Sequence, residues 1–594
     1  MDGCLTLAAK TLADSMSSGV TTSAFIEETR KKLAKEVEEH FRAIAELRRR
    51  MNAIIPVARL PPEILGHIFL WYITVMATHR DPGYYRDSYH RWLTVTHVCH
   101  RWREIGLCTP NLWTDIRIGQ GSVERVQAFI SRAKHAPLQI HASNDCADIK
   151  WLPALHLIAS ELGHVETLNL NVPLGTLKTL TDNIPSSAPL LRLLTIAGSS
   201  YYGSTPLTLP VFLTSACSTP RLEELKVVGY NLSWLDSILP QSLTHLAVTL
   251  AGSSQETQCS DVVTVIHALS CLKHLELNRV LAPLQTTITR LPPISLSVSL
   301  PNLTCIILLG SPLVCVHFLD HCVIPASARI SLNFQSSCTP HVIPLIMPAI
   351  STKLSTRIIQ DDKEPVETLS IRCGSVAFVK RSLGPIQNRT HAHLSILAPG
   401  YLVEDGSMLA GLCGLPIRDV SVLLLREVSY NPSARPAWLA LFQVVVKIAA
   451  LSISSEPPYP SDIIAMLRTR LEGGEAQKGK LIMPNLRHLL LQEVRFRDIN
   501  DDENDSFVAD LCAAFKARRK GRRKLEKLSI KKCVNMNQDD VTKLQKVVDV
   551  IWDGEVEYDE EDEDEDEDEY REFMEEDDSS DPLEDVYYRR RNYF

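Results

Sequence analysis

Apolar and polar positions follow two different periods along the chain. Between Ser23 and Met51 the apolar residues are spaced by three, four or seven positions, which predicts an amphipathic helix within residues 23–55. Pro56 is expected to end it. The apolar stripe consists of Ile26, Leu33, Val37, Phe41, Ile44, Leu47 and Met51. Its heptads are interrupted near Arg30, so self-association as a coiled coil and packing on the same chain both remain open.

A second helical pattern begins just beyond Pro56. Prolines 61 and 62 suit the first turn of a helix, where the amides have no intrahelical partner, so we predict a helix beginning at Pro61 or Pro62. A looser insert is expected from Thr74 to Arg91. The apolar residues of the predicted helix form a single stripe, which should be buried: Ile64, Leu65, Ile68, Phe69 and Tyr72.

A third helical pattern follows the insert, and Gly106 is placed to end it. Its apolar residues are Val95, Val98, Cys99, Trp102 and Ile105. A turn at Thr109-Pro110-Asn111 then leads to Leu112-Trp113. About 55 residues with short helices is near the lower limit for an independent core. Part of this apolar surface is therefore expected to need a partner.

Residues 56–117 resemble the F-box, the motif that docks substrate receptors onto the Skp adaptor of cullin-based ubiquitin ligases. The resemblance rests on Leu60-Pro61-Pro62-Glu63-Ile64-Leu65 with Ile68-Phe69, on Val98-Cys99-His100-Arg101-Trp102-Arg103-Glu104-Ile105, and on Leu112-Trp113. The insert between the two halves is longer than in most members. The resemblance implies an all-α domain in which these residues bind the adaptor: Leu60, Pro61, Ile64, Leu65, Ile68, Phe69, Val98, Trp102 and Trp113. The alternative is a helical subdomain packed on the rest of the chain.

Beyond Ile118 the pattern changes to apolar-x-x-apolar-x-apolar. Its eleven occurrences begin at Val165, Leu191, Leu222, Leu243, Leu272, Leu303, Val366, Val420, Ile448, Leu486 and Leu525. The first six advance by 26, 31, 21, 29 and 31 positions, and the pattern is least regular between Ser311 and Gly414. These units resemble irregular leucine-rich repeats, in which stacked strands share a core. We therefore expect an α/β solenoid with a parallel sheet over residues 118–552; an α/β domain with leucine-rich strands is the alternative.

Residues between the core leucines should point away from the core, since side chains alternate along a strand. This outward face is polar and differs from one strand to the next, so it suits recognition of a protein target. Solvent exposure without a ligand is the alternative. The candidate target-binding residues are Glu224, Lys226, His245, His274, Glu276 and His488.

Charge is distributed unevenly over the 594 residues. Residues 553–585 hold 22 acids and one base, a net charge of −21 that leaves +12 for the rest against the total of −9. Such a run repels itself, so residues 553–594 are expected to be a disordered acidic tail, and the small, polar residues 1–22 a flexible N-terminus. The basic run Lys516–Lys524 suits a nuclear localisation signal, a nucleic-acid patch or a solvated helix end. It lacks interleaved aromatics, which argues against stacking on single strands.

The sequence offers no convincing catalytic or metal site. Residues 474–480 resemble part of a phosphate-binding loop, but Leu481 replaces the Ser/Thr that would hold magnesium. The cysteines and histidines between Cys315 and His341 match no zinc-finger spacing. The cysteines are scattered singly, as expected for free thiols in a reducing compartment. The N-terminus lacks a secretory pattern. Residues 437–454 suit a helix end followed by a strand better than a membrane span.

These observations predict a multidomain, non-enzymatic protein in the cytoplasm or nucleus, with no cofactor, metal or membrane contact. By resemblance it is the substrate receptor of a Skp-cullin-F-box ubiquitin ligase, with a Skp-type adaptor, a cullin scaffold and a protein target as partners. Nucleic acid is not expected among them. The alternative is a repeat-based interaction or scaffold protein that acts outside ubiquitin transfer, in the nucleus through its charged segments.

Overall fold

The fold is given by a computed structural model, in which the chain divides into two units. The residues it describes are 23–78, 91–118, 122–142, 151–173, 176–177, 187–198, 207–208, 219–232, 234, 239–250, 257–285, 287–294, 296–360, 366–380, 393–399, 406–428, 431–454, 461–470, 481–497, 506–519 and 525–555. The first unit comprises residues up to Ala282 with Ser295–Leu303 and His321–Ile324, and the second comprises the rest. The expected flexible N-terminus, most of the insert, the phosphate-loop-like segment and most of the acidic tail lie outside the described residues.

The first unit begins with a helical region. Its α-helices are α1 (Ser23–Ala53), α2 (Pro62–Thr78), α3 (His100–Cys108), α4 (Val123–Ala133), α5 (Leu152–Ser160) and α6 (Cys259–His267). Short 3-10 helices lie at Pro56–Arg59, Arg91–His97, Pro110–Leu112 and Leu162–His164. The predicted amphipathic helix is confirmed as α1. Every residue from Val37 to Met51 is exposed, so the partner of its apolar stripe stays a prediction.

The strands of the first unit are mostly parallel. They are β1 (Asp115–Ile118), β2 (Leu138–Ala142), β3 (Val165–Asn171), β4 (Leu193–Ala197), β5 (Leu207–Thr208), β6 (Glu224–Val228), β7 (Tyr230–Asn231), β8 (His245–Thr249), β9 (His274–Asn278), β10 (Val298–Ser299) and β12 (Cys322–Val323). Parallel pairing runs from β1 through β2, β3, β4, β6 and β8 to β9. Two small parallel pairs join β5 to β7 and β10 to β12.

The second unit has its own strands and helices. The strands are β11 (Cys305–Gly310), β13 (Arg329–Phe334), β14 (Val366–Arg372), β15 (Ser375–Lys380), β16 (Leu394–Leu397), β17 (Val422–Arg426), β18 (Ala450–Ser454), β19 (His488–Gln492), β20 (Lys527–Lys531) and β21 (Asp549–Trp552). The helices are α7 (Pro312–His321), α8 (Ile343–Gln360), α9 (Ser407–Leu412), α10 (Arg435–Val444), α11 (Ser461–Met466), α12 (Ser506–Arg519) and α13 (Gln538–Gln545), with a 3-10 helix at Pro432–Ala434.

All eleven occurrences of the apolar pattern lead into strands. Their second and third apolar residues are buried, as Leu225 and Val227 of β6 and Leu489 and Leu491 of β19 illustrate. In the second unit β14, β17, β18, β19, β20 and β21 pair in parallel with these residues in register. Every second side chain of these strands is buried. This fixes the register of strand pairing, because a slip of one residue would turn the leucines outward.

The predicted parallel sheet is mostly parallel, and the central stretch of the chain departs from it. β15 pairs antiparallel with both β14 and β16, although β11 with β13 and β13 with β16 pair in parallel. Only Cys373 and Gly374 separate β14 from β15, and so short a connection forces a hairpin. This lies in the stretch where the sequence pattern is least regular.

Residues 437–454 form the end of α10 and then β18, as predicted. No helix in the described part of the chain is long and apolar enough to cross a membrane. The twelve cysteines among the described residues are thiols, and no disulfide joins any two of them.

A buried ion pair lies at the start of α13 in the second unit. Arg497 donates two hydrogen bonds of 2.6 Å to the carboxylate of Asp540, and both residues are buried. Asn537 and Asp540 also form a reciprocal capping box at the first turn of α13. The pair therefore holds the segment that follows β19 against α13.

Candidate functional site

The start of α2 is fixed by a backbone hydrogen bond of its own first turn and by a side chain of α3. The Leu65 amide donates to the carbonyl of Pro61 at 3.2 Å, which closes the first turn. The Arg101 guanidinium of α3 donates to the carbonyl of Leu60 at 2.6 Å. α2 begins at Pro62, as predicted, and extends to Thr78. The helix therefore continues five residues, Thr74 to Thr78, into the segment expected to be a loose insert.

The predicted apolar stripe of α2 divides between the interior and the solvent. Leu65 and Phe69 are fully buried, and the Phe69 ring lies 5.1 Å from that of Trp102. Ile64 and Ile68 are instead 46% and 42% exposed. One turn separates the members of each pair, so α2 has one apolar face in the core and a second one in solvent.

Trp71 extends the exposed face and was absent from the predicted adaptor-binding set. It is 68% exposed. It lies seven positions after Ile64 and three after Ile68, so helical spacing alone could have identified it. We call Ile64, Ile68 and Trp71 the exposed face of α2. A tryptophan this exposed is uncommon on a surface without a partner.

The segment preceding α3 differs from the predicted single helix. A 3-10 helix ends at His97, Cys99 is extended, and α3 begins only at His100. The Thr96 hydroxyl donates to the carbonyl of Leu93 at 2.7 Å, and β-branched residues at 94–96 and 98 disfavour a continuous α-helix. Val98, in the break, is 59% exposed and available to a partner.

Gly106 does not end α3, which continues to Cys108. A Cβ atom on Gly106 would lie 3.1 Å from the Thr96 Cγ2 atom, so the glycine allows the helix to pack closely on the preceding 3-10 segment. Its carbonyl accepts a hydrogen bond of 2.8 Å from the Trp113 indole. This residue therefore serves packing rather than termination.

Trp113 lies inside the first unit, contrary to its expected contact role. Its ring packs edge-on against Trp92 at 5.1 Å and Phe129 at 4.9 Å, and the Arg132 guanidinium lies 4.4 Å from the ring centroid. Like Leu65 and Phe69, it can influence docking only by supporting the surface. Phe129 and Arg132 belong to α4, so Trp113 ties the helical region to the next element.

A groove of about 740 Å³ opens between the start of α2 and α3. Its lining residues are Pro62, Glu63, Arg101, Glu104, Ile105, Cys108 and Thr109. Leu60 is half-buried and Pro61 is exposed beside it, while Trp102 is half-buried. The groove is lined by acidic and basic side chains, and exposed apolar residues lie beside it. Together they form a surface on which a helix of a partner protein could bind.

The predicted target-binding residues of the first unit lie together on one sheet face. Glu224, His245 and His274 occupy equivalent positions on β6, β8 and β9. Lys226 and Glu276 lie in the next outward row, with Ala247 between them. The intervening residues of these strands are buried. The predicted alternation is therefore confirmed, while a target for this face stays a prediction.

Side chains on this face interact with one another. The rings of His245 and His274 stack at 5.8 Å, and His274 Nε2 lies 3.8 Å from a carboxylate oxygen of Glu276. The interaction with His274 lowers the pKa of Glu276, against the opposing effect of burial, and the charge of Lys226 acts in the same direction. Asn278 also donates to the Glu276 carboxylate. The face thus holds an ordered cluster rather than independent surface groups.

Glu276→Gln is expected to alter stability only where the carboxylate is ionised. Its folded pKa lies below the unfolded value of about 4.3, so the carboxylate stabilises the fold above that pH and the contribution is lost as pH falls through the folded pKa. We expect a loss of at most about 1 kcal/mol at pH 7, since partly exposed pairs are weak, and a smaller loss at about pH 3, where more of the carboxylate is protonated. Urea unfolding at both pH values measures this, and an equal loss at both would contradict it.

His488 does not belong to this cluster. It lies on β19 in the second unit, where it is exposed and in register with Ala450 and Lys527. The sequence pattern placed it correctly on an outward face but could not assign it to a unit.

The comparisons with known proteins concern the helical region alone. A family model described as F-box-like matches residues 57–119, close to the predicted 56–117. No curated protein matches the chain. The matched residues include α2, its exposed face, α3 and Trp113. Residues 57–119 are therefore an F-box-like domain, the type of module that binds Skp-type adaptors.

Proposed function

We propose that the protein is a non-catalytic substrate receptor of a Skp-cullin-F-box ubiquitin ligase. The F-box-like domain binds a Skp-type adaptor, which connects the chain to a cullin scaffold. The observation that carries the proposal is the exposed face of α2 within this domain. Leaving Ile64, Ile68 and Trp71 in water costs free energy that burial against an adaptor would recover.

The rest of the chain supplies target recognition in this proposal. We infer that both units are built of irregular leucine-rich repeats. Strands recur with buried leucines in register, although the connections between them differ in length. The outward rows then carry recognition, and the cluster around Glu276 is the best ordered of them in the first unit.

Proximity is the only catalytic contribution that such a receptor makes. Holding a target beside the conjugating enzyme raises its effective concentration to roughly millimolar for a well-matched span. The associated enzyme transfers ubiquitin, so this chain needs neither a catalytic residue nor a cofactor. Free thiols suit a reducing compartment, in keeping with action in the cytoplasm or nucleus.

Affinity purification with mass spectrometry tests the assignment. The intact chain is expected to recover a Skp-type adaptor and a cullin, and the double variant Ile64→Glu/Ile68→Glu to lose both while keeping its targets. Val37→Glu/Phe41→Glu is the control, because it adds the same two charges, four residues apart, at exposed apolar positions of α1 outside the F-box-like domain. Recovery of neither protein by the intact chain would refute the proposal. An adaptor recovered without a cullin would instead favour a scaffold role outside ubiquitin transfer.

A further inference from the structure

The last strand of the second unit is followed by the most acidic segment of the chain. β21 ends at Trp552, and the described residues end at Glu555. Residues 556–594 contain 20 acidic and four basic residues, with eleven consecutive acids from Asp559 to Glu569. A run of this density binds cations strongly when they are close.

A cationic surface lies on the two helices next to β21. Lys516 and Arg519 are exposed in the last turn of α12, and Lys543 and Lys546 are exposed at the end of α13. We call these four residues the basic patch. Arg519 of α12 and Lys546 at the end of α13 line one cavity. Burial raises the pKa of Cys512, while the charges of Lys516 and Lys543 both lower it. The patch is therefore a single surface shared by both helices.

The basic patch borders a cavity of about 630 Å³ at the amino ends of β20 and β21. The charged residues of its lining are Arg519, Glu526, Lys546 and Asp549, and the apolar ones include Phe515 and Leu525. The whole stretch 506–549 contains 12 basic and five acidic residues, a net charge of +7. Residues 553–585, with a net charge of −21, therefore follow closely after this positively charged stretch.

The acidic segment starts within reach of the patch. The Lys532 amide donates to the carboxylate of Asp553 at 2.7 Å, so the chain leaves at the carboxyl end of β21. The patch borders the other end, about 13 Å away for a strand of four residues. An extended chain advances at most about 3.6 Å per residue, so four or five residues cover the return. Asp559 and the acidic residues after it are therefore far enough along the chain to reach the basic patch.

We propose that residues 557–569 of the same chain occupy the basic patch and exclude other polyanions from it. Tethering supplies an effective concentration in the millimolar range, and opposite charges on a surface attract over about 10 Å at ordinary salt. The contact weakens as salt rises. The patch thus becomes available to an external polyanion only when the acidic segment is neutralised or displaced. The inference does not depend on the proposed ligase role.

Zero-length carbodiimide crosslinking of the full chain tests the contact. Carboxylates of residues 557–569 are expected to crosslink to Lys516, Lys543 and Lys546, and the yield to fall several-fold in 1 M NaCl. Lys447 is the control, an exposed lysine of the same unit that pairs with Asp419. A mixture of normal and 15N-labelled chains separates links within one chain from links between chains. Links mainly between chains, or equal links to Lys447, would overturn the proposal.

Binding of a fluorescent poly-glutamate peptide tests exclusion. A full-length variant in which residues 559–569 carry Asn and Gln in place of Asp and Glu is expected to bind the peptide at least tenfold more tightly than the natural chain. Adding Lys516→Ala, Arg519→Ala and Lys546→Ala should abolish that gain, and these exposed side chains can be truncated without opening the core. Equal affinity of the natural and amide-substituted chains would overturn exclusion.

Discussion

Trp71→Ala is expected to weaken binding of a Skp-type adaptor by about 30-fold or more, which corresponds to about 2 kcal/mol, the loss typical of a central aromatic anchor. The ring is 68% exposed on α2 and flanked by Ile64 and Ile68. Its truncation removes contact area from the complex while leaving the core residues Leu65 and Phe69 in place. The effect should therefore appear in adaptor affinity rather than in the stability of the free chain.

Phe41→Ala provides a matched control for this measurement. Phe41 is also an aromatic residue on a helix and is 67% exposed, but α1 lies outside the F-box-like domain. Isothermal titration of each full-length variant with purified adaptor gives the two affinities. A Trp71→Ala affinity within threefold of the natural chain, or an equal loss with Phe41→Ala, would show that the exposed face of α2 is not the docking surface.

Asp540→Asn is expected to destabilise the second unit by about 3–5 kcal/mol, because it leaves the Arg497 guanidinium buried without its counter-charge. Both partners are buried, and their two hydrogen bonds join the segment after β19 to α13. The capping role of Asp540 at the start of α13 is weakened by the same change. Hydrogen exchange in peptides that span β19 and β20 measures the loss locally.

An exposed ion pair in the same unit provides the comparison. Lys447 and Asp419 are each more than half exposed, so Asp419→Asn should cost less than about 1 kcal/mol. The double variant Arg497→Met/Asp540→Leu should recover much of the lost stability, because removing both charges avoids the cost of burying one alone. Equal exchange rates in the Asp540→Asn and Asp419→Asn variants would contradict this account.

Strand positions could be predicted from sequence because leucines alternate with polar residues over each short segment. That alternation fixes both the strand and its buried face, as in Leu225, Lys226 and Val227. β1 and β2 were missed although Ile116 and Ile118, and Leu138 and Ile140, alternate in the same way. They lack the leucine spacing used to identify repeats, so a search for period two alone would have found them.

The candidate docking site was less predictable, for physical reasons. Helical spacing showed that α2 is apolar, but it could not show that Phe69 packs on Trp102 of α3 while Ile68 faces solvent. Trp113 contacts Phe129 and Arg132, which are more than a dozen residues away and beyond the motif. Side chains whose surroundings come from distant segments cannot be assigned from local pattern.

Strand register is the same from β6 to β8 as from β8 to β9, although the chain between them differs in length. Insertions and deletions in these connections are therefore absorbed locally, and the buried leucines keep their alignment. Outward positions such as Lys226 and Glu276 can change identity with little effect on that alignment. Point substitutions can therefore change the charge and shape of this outward face while the buried framework of the sheet stays the same.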